Sequence, residues 1–487
     1  MKKRANILWL TTDQQRWDTI HALGNKYIDT PNLDKLVKEG VVFENAYCQS
    51  PICTPSRASF LTGKYPSAIN SNINGADNMP EHATLISKAL SENGYDCGLI
   101  GKLHITSAWE GEPRTDDGFS FFEYNLSPGH DLEGNCSRYK DWLEEKGIDW
   151  HDILENDGKH SYYWYKKDAP ENLRQTFWLQ EKAREYFERH KDSEKPWMLC
   201  VNCYDPHPPF DAPSYLEEKY LQKNIPGPIY SDRDEEEEEK LSFVYFQSQF
   251  KTPDEKERRE RASYYGMVEL VDKHYGMILD SLEEMGLQDD TIVIFTSDHG
   301  ETIGDHGHTH KGCRFYEGLV HVPLIISCPA RFKSGIKYSG ITELTDIAPT
   351  IAEIAGIDFE NTTGFSLIPA LEAQGSTGRT FARCEYYGVL EESGKFGASN
   401  ESEADDDRYA SNIHETYGEM YREGAYKICI FHDNNHGQLY KLDEDPLEEN
   451  NLWDKEEYRE IRDNLILKAF SSAVILSRPG QNRRGRY

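Results

Sequence analysis

No run of about eighteen apolar residues occurs in the 487-residue chain, so no membrane-spanning helix is expected. Basic residues are few beside acidic ones: 54 lysines and arginines against 85 aspartates and glutamates, a formal charge of -31. That balance excludes a broad basic footprint for nucleic acid. It also repels long polyanions from most of the surface, so a small anion needs a local basic pocket. The N-terminus reads Met-Lys-Lys-Arg and then only a short apolar stretch over residues 5–10. A signal peptide needs a longer apolar core and a cleavage site. The sequence as it stands is therefore expected to be cytoplasmic, or periplasmic or secreted if a leader has been removed. Ten cysteines are scattered without a disulfide spacing, and most sit among apolar neighbours, as buried thiols do. Cys200 and Cys203 form a lone C-x-x-C with no second pair, which argues against zinc. The acidic run 234–239 is expected to be a solvated or mobile loop.

What is present is an alternation of strands and helices. Buried strands are expected at 5–12, 95–102, 197–204, 291–297 and 324–328. Helices are expected at 32–39, 84–93, 172–190, 260–284 and 346–355. This predicts an α/β fold with a large, mostly parallel or mixed central sheet flanked by helices. The character changes near residue 375, giving a catalytic domain over 1–375 and a smaller C-terminal α+β subdomain over 376–487. In the subdomain, strands are expected over 419–431 and 438–442, a helix over 455–472 and an exposed polar loop over 394–408. Residues 478–487 are expected to be loose.

In open α/β sheets, ligands bind beyond the carboxyl ends of strands. Asp13, Lys102, His104, His207, Asp298 and His299 all follow predicted strands. Cys53-Thr54-Pro55-Ser56-Arg57 places a thiol where Pro55 suits the first turn of a helix. Amides and dipole favour an anion at that helix start. Arg57, four residues on, can return to the same face. Asp13, Gln14, Asp298 and His299 supply two carboxylates, an amide oxygen and an imidazole, an oxygen-rich set suited to a hard divalent cation. His306, His308 and His310 form an H-x-H-x-H tract, read as a loop beside the active site rather than a second metal site.

The stretch from Cys53 to Gly63 resembles the C-x-P-S-R-x-x-x-L-T-G signature of type I sulfatases, in the alkaline-phosphatase-like superfamily. The similarity extends from Asn6 to about Leu465. It implies that Cys53 is oxidised to formylglycine by a maturation enzyme, and that Asp13, Gln14, Asp298, His299 and the residue at 53 hold one Ca2+. Many relatives have two consecutive aspartates where this chain has Asp13-Gln14, and asparagine where it has His299. Some bacterial sulfatases and phosphonate monoester hydrolases share this chain's pattern, which leaves Mn2+ open. Gly101-Lys102-Leu103-His104 resembles the family's G-K-x-H, whose Lys and His hold the formylglycine and act as its base. The His207 segment, P-H-P-P-F, resembles one whose His contacts the sulfate ester. Lys311 lies in a segment resembling G-K-G…Y-E, whose Lys binds sulfate. The strand-and-turn pattern from Met420 to Leu452 resembles the family's C-terminal subdomain.

The resemblance implies a catalytic set of Cys53, Arg57, Lys102, His104, His207 and Lys311 acting on sulfate esters. Two alternatives stand beside it. One is a phosphonate monoester or phosphodiester hydrolase, against which the Lys102/His104 pair argues. The other is a non-catalytic protein that binds sulfated glycans. Aromatic residues crowd two segments, Trp109 with Phe119, Phe121, Phe122 and Tyr124, and Tyr162 to Tyr165. Rings that stack on sugar faces, together with the negative charge, lead us to expect a small sulfated saccharide as substrate. Neither nucleic acid nor a membrane is expected as a partner.

Overall fold

A computed structural model describes residues 4–75, 79, 83–108, 112, 114–129, 137–158, 162–241, 253–388, 416–432 and 434–477. The expectations for Trp109, for the loop 394–408 and for 478–487 fall outside the described residues.

Fourteen strands follow one another along these residues. They are β1 (Asn6–Thr12), β2 (Gly40–Tyr47), β3 (Asp96–Gly101), β4 (Phe121–Tyr124), β5 (Leu154–Glu155), β6 (Trp164–Tyr165), β7 (Trp197–Asn202), β8 (Thr291–Ser297), β9 (Leu324–Ser327), β10 (Ile336–Glu343), β11 (Phe381–Gly388), β12 (Thr416–Glu423), β13 (Tyr426–Phe431) and β14 (Gly437–Lys441). Eight of them build one sheet in the order β10-β2-β9-β8-β1-β7-β3-β4, parallel except for β9. Every residue of β1, β7 and β8 is buried, as parallel strands covered on both faces must be. Two apolar clusters sandwich this sheet. One contains Trp9, Phe60 and Ile351, and the other Leu10, Trp178 and Tyr275.

The register sets the site. β1 pairs with β7 on one side and β8 on the other, with Thr11 opposite Asn202 and Thr12 opposite Ser297. Asp13, Cys203 and Asp298 therefore leave the sheet at one level. β3 ends at Gly101, at φ +93°, where a side chain would run into the carbonyl of Asn202. Glycine there lets β3 close on β7 and delivers Lys102 to the same edge.

Sequence patterning missed β2, whose buried apolar run Val41–Phe43 is cut short by exposed Glu44, and β10, which is partly or fully exposed over its first six residues. The single strand expected over 419–431 is the hairpin β12–β13, turned by Gly424 at φ +58°. It belongs to a second, antiparallel sheet, β11-β12-β13-β14, packed under the helix Arg459–Leu476.

The acidic run is not a loop. Asp232–Lys240 is a helix started by a capping box from Ser231 and Asp234. Asp234 pairs with His306, Glu237 with His436, and Glu238 with His308 and Arg314. Matched buried partners, which charge counting along the chain cannot see, turn those carboxylates into structure. Among the described residues no helix is long and apolar enough to cross a membrane.

Candidate active site

Cys53 opens the helix Cys53–Thr62, every residue of which is buried. Four residues on, Arg57 turns back toward the sheet edge. Its Nε donates to Asp298 Oδ2 at 2.9 Å, its Nη2 to Asp13 Oδ2 at 2.9 Å, and its Nη1 to the Lys102 carbonyl at 3.1 Å. One guanidinium thus spans three strand ends, the bidentate work to which arginine is suited. Lys102 Nζ adds a second cation, 2.6 Å from Asp13 Oδ2. These are fully buried ion pairs, and their geometry is closed on every side.

The Cys53 sulfur lies 2.8 Å from Lys311 Nζ, 3.3 Å from His299 Nε2 and 3.7 Å from Asp13 Oδ1. His104 and His207 also interact with it. Burial disfavours a thiolate at this position, but Lys102, Lys311 and His299 outweigh it and hold the thiol well below its ordinary range. Burial and Lys102 lower the His104 imidazole to about 4; burial and Lys311 do the same to His207. Burial also works against ionised Asp13, yet Lys102, His207 and Arg57 keep it well below the usual carboxylate range. Asp298 moves up instead, through burial and the neighbouring Asp13 charge.

The donor atoms of Asp13, Cys53, Asp298 and His299 lie within 4.8 Å of one another, all buried. Gln14 sits beside them at φ +70°, with its amide N–H on Asp298 Oδ1 at 3.0 Å. Its Nε2 donates to Glu301 Oε2, while its Oε1 is buried with no partner. An orphaned carbonyl oxygen next to two carboxylates and an imidazole is the donor set a hard divalent cation takes. The residues present therefore fit such an ion. Among the described residues the H-x-H-x-H tract forms no comparable cluster. His306 and His308 serve the acidic helix, and His310 stacks on Phe210.

All ten sequence-named residues thus meet at one edge of the sheet. The structure adds others. Glu301, directly after Asp298-His299-Gly300, is buried and accepts from Gln14 Nε2 and from the amides of Ile303 and His310. Glu112 accepts from the amides of His104, Ile105 and Thr106 and fixes the turn that carries His104 at φ +52°. Tyr204 lies under Lys102, with Nζ 5.5 Å from its ring centroid, and packs on His207 at 4.6 Å. Glu301 carried a sequence signal in its adjacency to the Asp298-His299 pair. Glu112 carried none, since its role depends on a turn.

The two aromatic segments diverge. Phe119 and Tyr124 are buried in the core, and Phe122 packs against it, stacked on Tyr124 and with the Arg114 guanidinium 3.9 Å from its ring centroid. They build the fold. Tyr162, Tyr163 and Trp164 instead line a recess that shares Tyr204 as a wall with the site just described.

Residues 5–357 match the family model described as Sulfatase, and residues 304–472 match N-sulphoglucosamine sulphohydrolase, C-terminal. The chain is 30% identical to an arylsulfatase of Clostridium perfringens, across 95% of this chain and 93% of that protein. It is 27% identical to an N-acetylglucosamine-6-O-sulfatase of Bacteroides thetaiotaomicron, across 95% and 85%. The crystal structure of a phosphonate monoester hydrolase of Agrobacterium radiobacter superposes with a TM-score of 0.77 at 25% identity, covering 97% of this chain and 96% of that one.

Proposed function

The chain belongs to the sulfatase family of sulfuric ester hydrolases, and we propose that it cleaves sulfate esters of small saccharides with a nucleophile derived from Cys53. The observation that carries this reading is the convergence of Lys102, His104, His207, His299 and Lys311 on one sulfur at a helix N-terminus. Oxidised to formylglycine by a maturation enzyme, position 53 would supply, as its hydrate, a hydroxyl able to attack sulfur. A divalent cation, Ca2+ in this reading and Mn2+ as the variant, would be held by Asp13, Gln14, Asp298, His299 and residue 53. It would act as a Lewis acid toward the sulfate group.

The remaining work falls to the chain's own side chains. Lys102 and Lys311 stand ready to neutralise the sulfuryl oxygens, and burial makes each charge count for more than it would in water. His207, its Nδ1 donating to the Pro208 carbonyl at 2.6 Å, turns Nε2 toward position 53; neutral in the free site, it would take up a proton as the anionic ester binds and pass that proton to the leaving oxygen. His104, kept unprotonated by burial and Lys102, is a ready proton acceptor beside position 53. Arg57 holds Asp13 and Asp298 in place. Residues 1–375 form the catalytic part in this reading and 376–487 a supporting subdomain.

The saccharide preference is supported by the named activity of the Bacteroides relative and by the aromatic recess beside Tyr204. The resemblance to a phosphonate monoester hydrolase favours a second reading, phosphodiester or phosphonate ester cleavage at the same site. Matured protein should release sulfate from 4-nitrophenyl sulfate much faster than it cleaves bis(4-nitrophenyl) phosphate, with an aldehyde at position 53 in the peptide mass. The reverse order of rates would establish the second reading.

A further inference from the structure

The helix Arg459–Leu476 is apolar on two opposite faces. Leu465 and Ala469, with Ile461 and Ile466 beside them, pack on Tyr421, Ile428 and Leu439 of the C-terminal sheet. That face accounts for the helix's place in the fold. The other face is bare. Leu467, Phe470, Val474 and Ile475 are 65%, 66%, 55% and 61% exposed. Among the described residues only three other large apolar side chains are exposed, Tyr215, Phe365 and Leu447, and they are scattered along the chain. A helix that is apolar all round is normally buried all round. A contiguous bare patch of this kind marks an interaction surface.

The order of residues along that face says what fits it. Helix positions three and four apart share a face, so Asp463, Leu467, Phe470 with Ser471, and Val474 form one stripe. The next position in that spacing is Arg478. The series is symmetric about the midpoint between Phe470 and Ser471. Read backwards, it has arginine in place of aspartate and valine in place of leucine. An antiparallel copy of the same helix therefore meets it in register, with Leu467 against Val474, Asp463 against Arg478, and small Ser471 at the crossing. The charges around the stripe repeat the pattern. At the helix start Glu456, Glu457, Glu460 and Asp463 outnumber Arg459 and Arg462, while residues 478–487 hold four arginines and no acid. Self-complementarity is what a two-fold contact requires. A lipid surface also takes an apolar stripe followed by arginines, but the acidic half of this face and the formal charge of -31 oppose an anionic headgroup layer.

We propose that this face is a dimer interface, in which two copies of the chain pair their helices Arg459–Leu476 antiparallel across a two-fold axis at Phe470 and Ser471. Leu467, Phe470 and Val474 form its apolar centre, and the acidic start of each helix meets the arginines that follow the other. The inference is independent of the sulfate-ester reading, because none of these residues belongs to the site at the sheet edge.

The test is run on the full chain. Sedimentation velocity from about 1 to 100 µM should show a species of twice the mass of one chain. The double variant Leu467→Glu/Phe470→Glu puts like charges at the crossing and should weaken the dimer at least a hundredfold. Both side chains are exposed, so its far-UV circular dichroism should match the wild type. Geometry is read by cross-linking with diamide as oxidant. Ser471→Cys should form a covalent dimer, whereas Asp463→Cys should not, since its two copies would stand roughly 22 Å apart along the paired helices at about 1.5 Å per residue. The wild type is the control, its nine described cysteines being buried. A monomer throughout the concentration range overturns the proposal, and so does a dimer that the double variant leaves intact. Cross-linking at 463 and not at 471 rejects the antiparallel pairing. A monomer that sediments with phosphatidylserine vesicles assigns the face to a membrane instead.

Discussion

The Gln14 amide is held by the Glu301 carboxylate: Nε2 donates to Glu301 Oε2, and the planar amide then turns Oε1, buried and unpartnered, away from that contact. Glu301 Oε1 meanwhile accepts from the amides of Ile303 and His310, next to Lys311. One side chain thus orients the oxygen that is proposed to face the metal and steadies the segment that carries Lys311.

Glu301→Gln should therefore weaken Ca2+ binding by about 10- to 100-fold, the usual cost of losing a partner that orients a ligand. The substituted amide has one acceptor oxygen for at least three donors, so its nitrogen must face one of them. Titration calorimetry with Ca2+ on the purified variant reads this directly. Unchanged affinity would mean that the Gln14 amide is oriented by something else.

Cys53→Ala should remove turnover, by at least about a thousandfold, or roughly 4 kcal/mol in barrier. The thiol is small and packs against polar groups instead of the apolar core, so the melting temperature should change little. Residual activity within about tenfold of wild type would sink the nucleophile assignment.

Asp13→Ala should lose both the metal and stability. Asp13 is the partner of Arg57 Nη2 and of Lys102 Nζ, and all three groups are buried. Leaving a buried cation unpaired costs about 3–5 kcal/mol. Asp13→Asn, which keeps an acceptor oxygen, should be less destabilised while still losing activity. Chelation of the wild type should inactivate it, and added Ca2+ should restore it. Elemental analysis of active protein that found no divalent cation would refute the site.

Much of this site could be read along the chain because strand ends and short motifs are local. Asp13, Lys102 and Asp298 each follow an apolar run, and the Cys53 helix carries both its thiol and Arg57. Glu112 could not be read, because its role comes from the amides of His104, Ile105 and Thr106, which only the folded chain brings to it. The acidic helix Asp232–Lys240 shows the same limit from the other side. Six consecutive acids look like a solvated loop until His306, His308, Arg314 and His436, each 70 or more residues from the acid it pairs with, are folded against them. Phe119 and Tyr162 both lie in aromatic-rich segments, yet one is core and the other lines a recess. Composition alone does not separate them.

His207→Ala should discriminate between leaving groups. A sugar alkoxide needs a proton as it departs, whereas nitrophenolate leaves without one. The loss in kcat on a sugar sulfate should exceed that on 4-nitrophenyl sulfate by about 10²-fold, within the usual range for general-acid catalysis. Equal losses would mean that His207 only binds the ester.

Chain length should work against the enzyme. The groups that would hold the sulfate, Lys102 and Lys311, are both buried, so an ester must enter a narrow site. A chain end can do this more readily than an internal residue of a polymer. The formal charge of -31 adds a second barrier, since a polysulfated chain is repelled over the surface around the entrance. Salt screens the second barrier and leaves the first, because the Debye length is about 8 Å at physiological ionic strength. A series of one sulfated glycan from monosaccharide to polymer should therefore show kcat/KM falling with length. The fall should be steeper at low salt than at physiological salt, and a residual preference for the shortest members should survive screening. Rates that rise with length and peak on intact polymer would show that the chain is gripped by a surface outside this pocket, and the steric argument would fall with the electrostatic one.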